Sequence, residues 1–257
     1  MQKVVYHTNT PDFKHIMLNL PEVFAKEGTT IKDGRNEIKV IEKGGMRFCV
    51  KYFKKVSRVN LLVYSWFRHT KAKRSYQTAE MLLRLDVGTP FPIGYAEVKD
   101  KWGIVRQSYY VSLCQDYDWL LSDALDGGIP EEKDILSAYA QFMALKVHPA
   151  GIWHKDMTPG NVLINRKNDH YTFALVDLNR IRIKNRISPS QGIRNMKRLK
   201  GGTMQLAYVA EQYALAAKED PKNFIFRFFG HQLAFLNKRR KTKKILHALD
   251  PTRKAIR

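Results

Sequence analysis

Apolar and polar positions alternate through residues 37–55, EIKVIEKGGMRFCVKYFKK, on both sides of a Gly-Gly pair. A period of two around such a pair predicts two antiparallel strands and a turn. Residues 29–36, TTIKDGRN, predict another strand that runs into a tight turn at Gly34. The period lengthens at 71–86, KAKRSYQTAEMLLRLD, where Tyr76, Ala79, Leu82 or Leu83, and Leu85 fall on one face. That spacing predicts a helix. Residues 87–113 open with prolines and continue as two strands that turn near Asp100. The first 113 residues therefore read as a mostly antiparallel sheet carrying one prominent helix.

The second half is patterned differently. Residues 131–151, EEKDILSAYAQFMALKVHPAG, predict a helix that starts after Pro130 and stops at Gly151. A polar loop follows, then a strand VLIN at 162–165, a turn RKNDHY, and a strand TFALVDL at 172–178. From about residue 190 the chain is basic and reads as helical. The fold class is α+β. A sheet lobe (1–113) and a shortened, mostly helical lobe (114–257) make one domain, with a hinge at 112–116.

Composition adds one strong constraint. The 257 residues carry 45 Lys and Arg against 24 Asp and Glu, a formal net charge of +21. Such a field favours anionic partners: phosphates, nucleic acid or an acidic membrane face. The two cysteines, Cys49 and Cys114, lack metal-ligand spacing and read as reduced thiols. No apolar run approaches the roughly 18 residues of a membrane span. The longest candidates, 61–67 and 224–236, are too short or broken by Arg227. The expectation is a soluble, cytoplasmic protein.

The chemistry is concentrated in GIWHKDMTPGNVLIN, residues 151–165, which holds His154, Asp156 and Asn161. The spacing H-x-D-x-x-x-x-N is that of a phosphoryl-transfer loop, with the Asp at the acceptor hydroxyl and the Asn on a metal ion. Asp177, after the next strand, is the expected second metal carboxylate. Lys51 lies between Cys49 and Phe53 on one strand face and needs an anionic partner, as a phosphate-gripping lysine does. Glu80 is the candidate carboxylate to fix Lys51; a solvated helix glutamate is the alternative. The turn at Gly34, Arg35 and Asn36 suits phosphates held by backbone N–H groups, although it lacks a G-x-G-x-x-G pattern. His154 is expected to brace the loop. Arg180 either meets phosphate or lies on the surface.

These segments resemble the lipopolysaccharide core kinase family, the Kdo and heptose kinase group of the protein-kinase-like superfamily. The resemblance rests on DGRNEIKV (33–40), CVKYFKK (49–55), KAKRSY (71–76), GTPFPIGY (88–95), SYYVS (108–112), HKDMTPGNVLIN (154–165) and LVDLNRIRI (175–183). The Asp-Leu-Asn-Arg ending stands where ordinary protein kinases have Asp-Phe-Gly, and no Ala-Pro-Glu segment follows. The family places its acid nearer the helix start, around Ser75 to Gln77, where this chain has none. The resemblance implies a protein-kinase-like two-lobe fold and a kinase that uses ATP and Mg²⁺. The implied acceptor is a sugar hydroxyl of an anionic lipopolysaccharide core or lipid A-Kdo glycolipid, at the cytoplasmic face of the inner membrane.

Two other readings stand beside it. One is a RIO-like or atypical protein kinase or ATPase acting on protein or ribonucleoprotein, for which the charge suits RNA equally well. The other is a non-catalytic binding module on a kinase-like fold. Basic runs at 53–59 with 68–74, at 179–200 and at 237–244 carry most of the excess charge, and from Leu178 to Ala210 there is no acid. That stretch directly follows the expected metal Asp, where an anionic acceptor is expected to dock.

Overall fold

The computed structural model describes residues 3–8, 13–54 and 69–249. The apolar run 61–67, much of the basic run 53–59, Arg68 and the last basic residues of the chain lie outside the described residues. Two compact units emerge, and they do not follow a single cut. One holds residues 1–118 and 172–180; the other holds 119–171 and 181–257.

The first unit is built on a six-stranded sheet of order β1-β5-β6-β4-β3-β2. Its strands are β1 Lys3–Thr8, β2 Thr29–Lys32, β3 Glu37–Lys43, β4 Met46–Tyr52, β5 Pro92–Lys99 and β6 Val105–Leu113. Every neighbouring pair is antiparallel. The alternation in β4 sends Phe48 and Val50 into a core with Ile93, Val111, Met17 and Phe24. Helices α1 (Lys14–Leu18) and α2 (Leu20–Lys26) supply Met17, Leu20, Val23 and Phe24 to that core. Neither of these helices nor β1 is visible in the apolar pattern. Each is short, and Pro21 interrupts the pattern where the helices meet.

The predicted long helix is α3, Lys71–Arg84, which packs on β5 and β6. Thr70 caps it by accepting from Lys73 N at 3.1 Å and donates its hydroxyl to Glu97 at 2.7 Å. The buried face is Ala72, Ser75, Tyr76, Ala79 and Leu82. Leu82 is therefore the inward leucine, and Leu83 is exposed. The turn expected near Asp100 is present, with its carboxylate accepting from the N–H groups of Trp102 and Ile104.

In the second unit, β7 (Trp119–Leu120) pairs with β9 (Val162–Lys167), and β8 (Ile152–His154) pairs with β11 (Ile181–Ile183). Asn168 and Asp169 both have positive φ and turn the chain from β9 into β10, His170–Leu175. The helices are α4 (Leu121–Leu125), α5 (Glu132–Gln141), α6 (Pro189–Met196), α7 (Thr203–Ala216) and α8 (Pro221–Leu249). The helix predicted over 131–151 is not one α-helix. It changes to a π-helical turn at Phe142–Val147, where His148 N bonds to Met143 O at 3.0 Å. The wider turn buries Met143, Ala144, Val147 and His148 together. In α8, Phe224 and Phe228 are buried while Phe226 is 80% exposed, so the aromatics of 224–236 divide between two faces. Among the described residues no helix is long and apolar enough to cross a membrane.

A buried polar chain ties α7 to the loop that follows β8. Asn195 donates Nδ2 to the His154 carbonyl at 2.8 Å, which leaves its Oδ1 to accept from His148 Nε2 at 3.3 Å. His148 Nδ1 then accepts from the Tyr213 hydroxyl at 2.7 Å. Burial pushes the His148 pKa down from 6.5 to about 4, against the opposing hydrogen bond that its Nε2 donates to Asn195. The unfolded chain therefore binds a proton between these values that the folded one refuses. The stabilisation is complete above about pH 6.5 and declines toward pH 4, by up to about 3 kcal/mol. Melting temperature is expected to fall as pH drops through this window. His148→Gln, which keeps a donor and an acceptor, is expected to flatten that dependence.

Candidate active site

Strand β4 turns Lys51 away from the core, beside Cys49 and Phe53. Its Nζ meets Asp177 Oδ1 at 2.6 Å and lies 5.6 Å from the centre of the Phe53 ring. The Lys71 Nζ, from the first turn of α3, stands 5.8 Å from the centre of that ring. Burial, and after it the charges of Arg35, Arg74, Lys51 and Arg180, hold the Lys71 pKa below its ordinary value. Cations gathered around a half-buried ammonium raise its energy, and a polyanion relieves it. Nothing in the local sequence marks Lys71, because a lysine at a helix start is ordinarily solvated.

Asp177 owes its place to Gly88 and Thr89. Leu175 N donates to the Gly88 carbonyl at 2.8 Å, and the Thr89 hydroxyl donates to the Leu175 carbonyl at 2.9 Å. A Cβ on Gly88 would come within 2.3 Å of the Phe173 carbonyl oxygen, so only glycine permits this approach. Asp177 itself has φ +58°, and its Oδ1 also accepts from Asn179 Nδ2 at 2.6 Å. The 3₁₀ turn Leu178–Arg180 then packs on α3. Lys51 thus has a carboxylate partner, and it is Asp177. The Glu80 carboxylate accepts from the Tyr76 hydroxyl at 2.9 Å. Ser75, in the part of α3 where the family has its acid, is buried and donates to the Lys71 carbonyl.

Gly34, Arg35 and Asn36 form the bend between β2 and β3. A Cβ on Gly34 would meet nothing within 4 Å, and its φ is not positive, so glycine is not demanded there. Asn36 Oδ1 is buried without a partner.

In the second unit the loop after β8 is fixed by its own polar groups. His154 is fully buried, and its Nδ1 accepts from Asp156 N at 3.1 Å, so this histidine braces the turn. Asn161 Nδ2 donates to the Asp156 carbonyl at 2.8 Å, which leaves its carboxamide oxygen for another partner. The Asp156 carboxylate accepts from Arg198 Nη1, on the turn between α6 and α7. Arg198 sits 42 positions along the chain from Asp156, and no local pattern announces their meeting.

In the first unit Asp177 offers carboxylate oxygens, and in the second Asn161 offers a carboxamide oxygen; each is a donor type that a hard cation such as Mg²⁺ accepts. The cations around Lys51 and Lys71 suit a triphosphate.

The Kdo/WaaP lipopolysaccharide kinase family model matches residues 37–218. A search of curated proteins finds no match. Among solved structures, one described as WaaP in complex with acyl carrier protein has a TM-score of 0.60 and 14% identity, covering 93% of this chain and 98% of that one. A MAP kinase from Leishmania major has a TM-score of 0.42 and 14% identity, covering 82% and 64%. The fold is protein-kinase-like. The family match spans well over half of the sequence and includes Lys51, Asp156, Asn161 and Asp177, and the chain belongs to the Kdo/WaaP lipopolysaccharide kinase family.

Proposed function

We propose that this kinase transfers the γ-phosphate of ATP, with Mg²⁺, to a sugar hydroxyl of an anionic lipopolysaccharide core or lipid A-Kdo glycolipid. The observation that carries the reading is the Lys51–Asp177 pair within a group of cations, in a chain whose family phosphorylates lipopolysaccharide. Lys51 grips the α- and β-phosphates, and Lys71 and Arg180 add charge to the same phosphates. The turn at Gly34, Arg35 and Asn36 covers them. Asn161 and Asp177 would hold the metal, which would supply positive charge to offset that of the phosphates. Lys51, on this reading, leaves Asp177 for the nucleotide. Asp156 orients the acceptor hydroxyl and takes its proton. The acceptor oxygen bonds to phosphorus as the bond to the ADP oxygen breaks, and the electron pair leaves with ADP. The +21 charge favours an anionic acceptor and association with the cytoplasmic face of the inner membrane, at about 1 kcal/mol per basic residue near such a surface.

Purified protein with γ-labelled ATP and Mg²⁺ is to be offered Kdo-lipid A, a generic protein and RNA together. Label is expected in the glycolipid and to vanish on chelation of the metal. Label only in protein or RNA would sink the glycolipid assignment and favour the RIO-like reading. Lys71→Ala is expected to raise the KM for ATP roughly tenfold, about 1.4 kcal/mol, with a smaller change in kcat. Steady-state kinetics with varied ATP check this.

A further inference from the structure

The carboxylate assigned to the acceptor hydroxyl is held by an arginine, and that arginine is only partly used. Arg198 Nη1 donates to Asp156 Oδ1, and the two side chains are 32% and 22% exposed. A guanidinium has five N–H donors in a planar fork. Among the described residues, Arg198 donates no other hydrogen bond. Its plane is supported by Phe235 of α8, whose ring centre lies 5.0 Å away, and Lys197 stands over the same ring at 5.6 Å. Arg198 lines a groove of about 380 Å³ together with Lys197, Lys200, Leu206, Phe229 and Phe235. None of the residues lining the groove is acidic. Asp156 is the carboxylate that Arg198 meets, and the other two cations of the groove, Lys197 and Lys200, have no carboxylate partner among the described residues.

We propose that Arg198 is the acceptor-reading residue, binding an oxyanion of the acceptor in this groove while its Nη1 remains beside Asp156. The proposal rests on the kinase reading above. A fork that joins an acceptor oxyanion to Asp156 fixes the distance between that anion and the hydroxyl presented to the carboxylate. An acceptor lacking the anion leaves the guanidinium wholly on Asp156, where it competes with the hydroxyl for the carboxylate oxygens. Charge on the acceptor is thereby converted into position at the reacting oxygen. A carboxylate and a phosphate monoester both fit the fork. Lysine keeps the charge and loses the planar geometry.

The test compares three acceptors: the intact glycolipid, the same with its sugar carboxylates esterified, and the same with its phosphates removed. The readout is the ratio of kcat/KM between intact and neutralised forms. In the parent protein, one neutralised form is expected to be at least roughly 30-fold poorer, and which one identifies the oxyanion. In Arg198→Gln the ratio is expected to collapse below about threefold, through loss on the intact acceptor, and Arg198→Lys is expected to restore part of it. A Gln variant that keeps the parent's ratio, or a parent that does not distinguish the three acceptors, overturns the assignment. If Arg198→Gln does not fold, a Lys variant with the parent's full ratio overturns it equally. A parent that phosphorylates no acceptor at all overturns the kinase reading first, and this inference with it.

Discussion

Asp156→Ala is expected to lower phosphate transfer by ~10³ or more, equivalent to about 4 kcal/mol in the transition state, while leaving the fold intact. The two consequences separate because the residue's backbone and side chain do different things. The backbone N–H bonds to His154 Nδ1, and the backbone carbonyl accepts from Asn161. Both bonds survive in alanine, so the loop keeps its shape. The side chain meets Arg198, whose side chain is 32% exposed and can be solvated once the carboxylate is gone. Single-turnover kinetics and a thermal melt on the same sample measure the two effects. A variant that transfers phosphate at the parent rate removes Asp156 from the mechanism.

The second large effect is expected in the other unit, at Gly88→Ala. A Cβ there would lie 2.3 Å from the Phe173 carbonyl oxygen, an atom of the backbone that cannot rotate aside. The segment 172–180 has to retreat. With it go the bond from Leu175 N to the Gly88 carbonyl and the bond from Thr89 to the Leu175 carbonyl. Overpacking with weakened hydrogen bonds is expected to cost about 3 kcal/mol. Asp177 lies two residues beyond Leu175, so the same retreat carries it from Lys51. A displacement of about 1 Å at a reacting group costs on the order of 10² in rate. The variant is thus expected to lose both melting temperature and transfer, whereas Asp156→Ala loses transfer alone. A Gly88→Ala protein with the parent's melting curve would show that the close approach is not required.

The sequence shows the parts whose signal is local. Alternation in 37–55 locates β3 and β4 and turns Lys51 from the core, because side chains on a strand alternate strictly. The helical period in 71–86 locates α3, and only packing distinguishes Leu82 from Leu83. What escapes is non-local. Lys51 and Asp177 are 126 positions apart, and their ion pair depends on how Gly88 and Thr89 seat the returning strand. In the sequence Arg198 is one charge in an acid-free stretch, and its contact with Asp156 depends on the turn between α6 and α7. The π-helical turn at 142–147 has no apolar signature of its own, since one inserted residue barely alters a helical period over so short a span.

The most direct measurement is the mass of a Kdo-lipid A acceptor after incubation with ATP and Mg²⁺, in the presence of the parent protein or of an Asp156→Ala, Asp177→Ala double variant. One added phosphate is expected with the parent and an unmodified glycolipid with the double variant. An unmodified glycolipid with the parent, or phosphate added equally by both proteins, would contradict the assignment of this chain as a glycolipid kinase acting through Asp156 and Asp177.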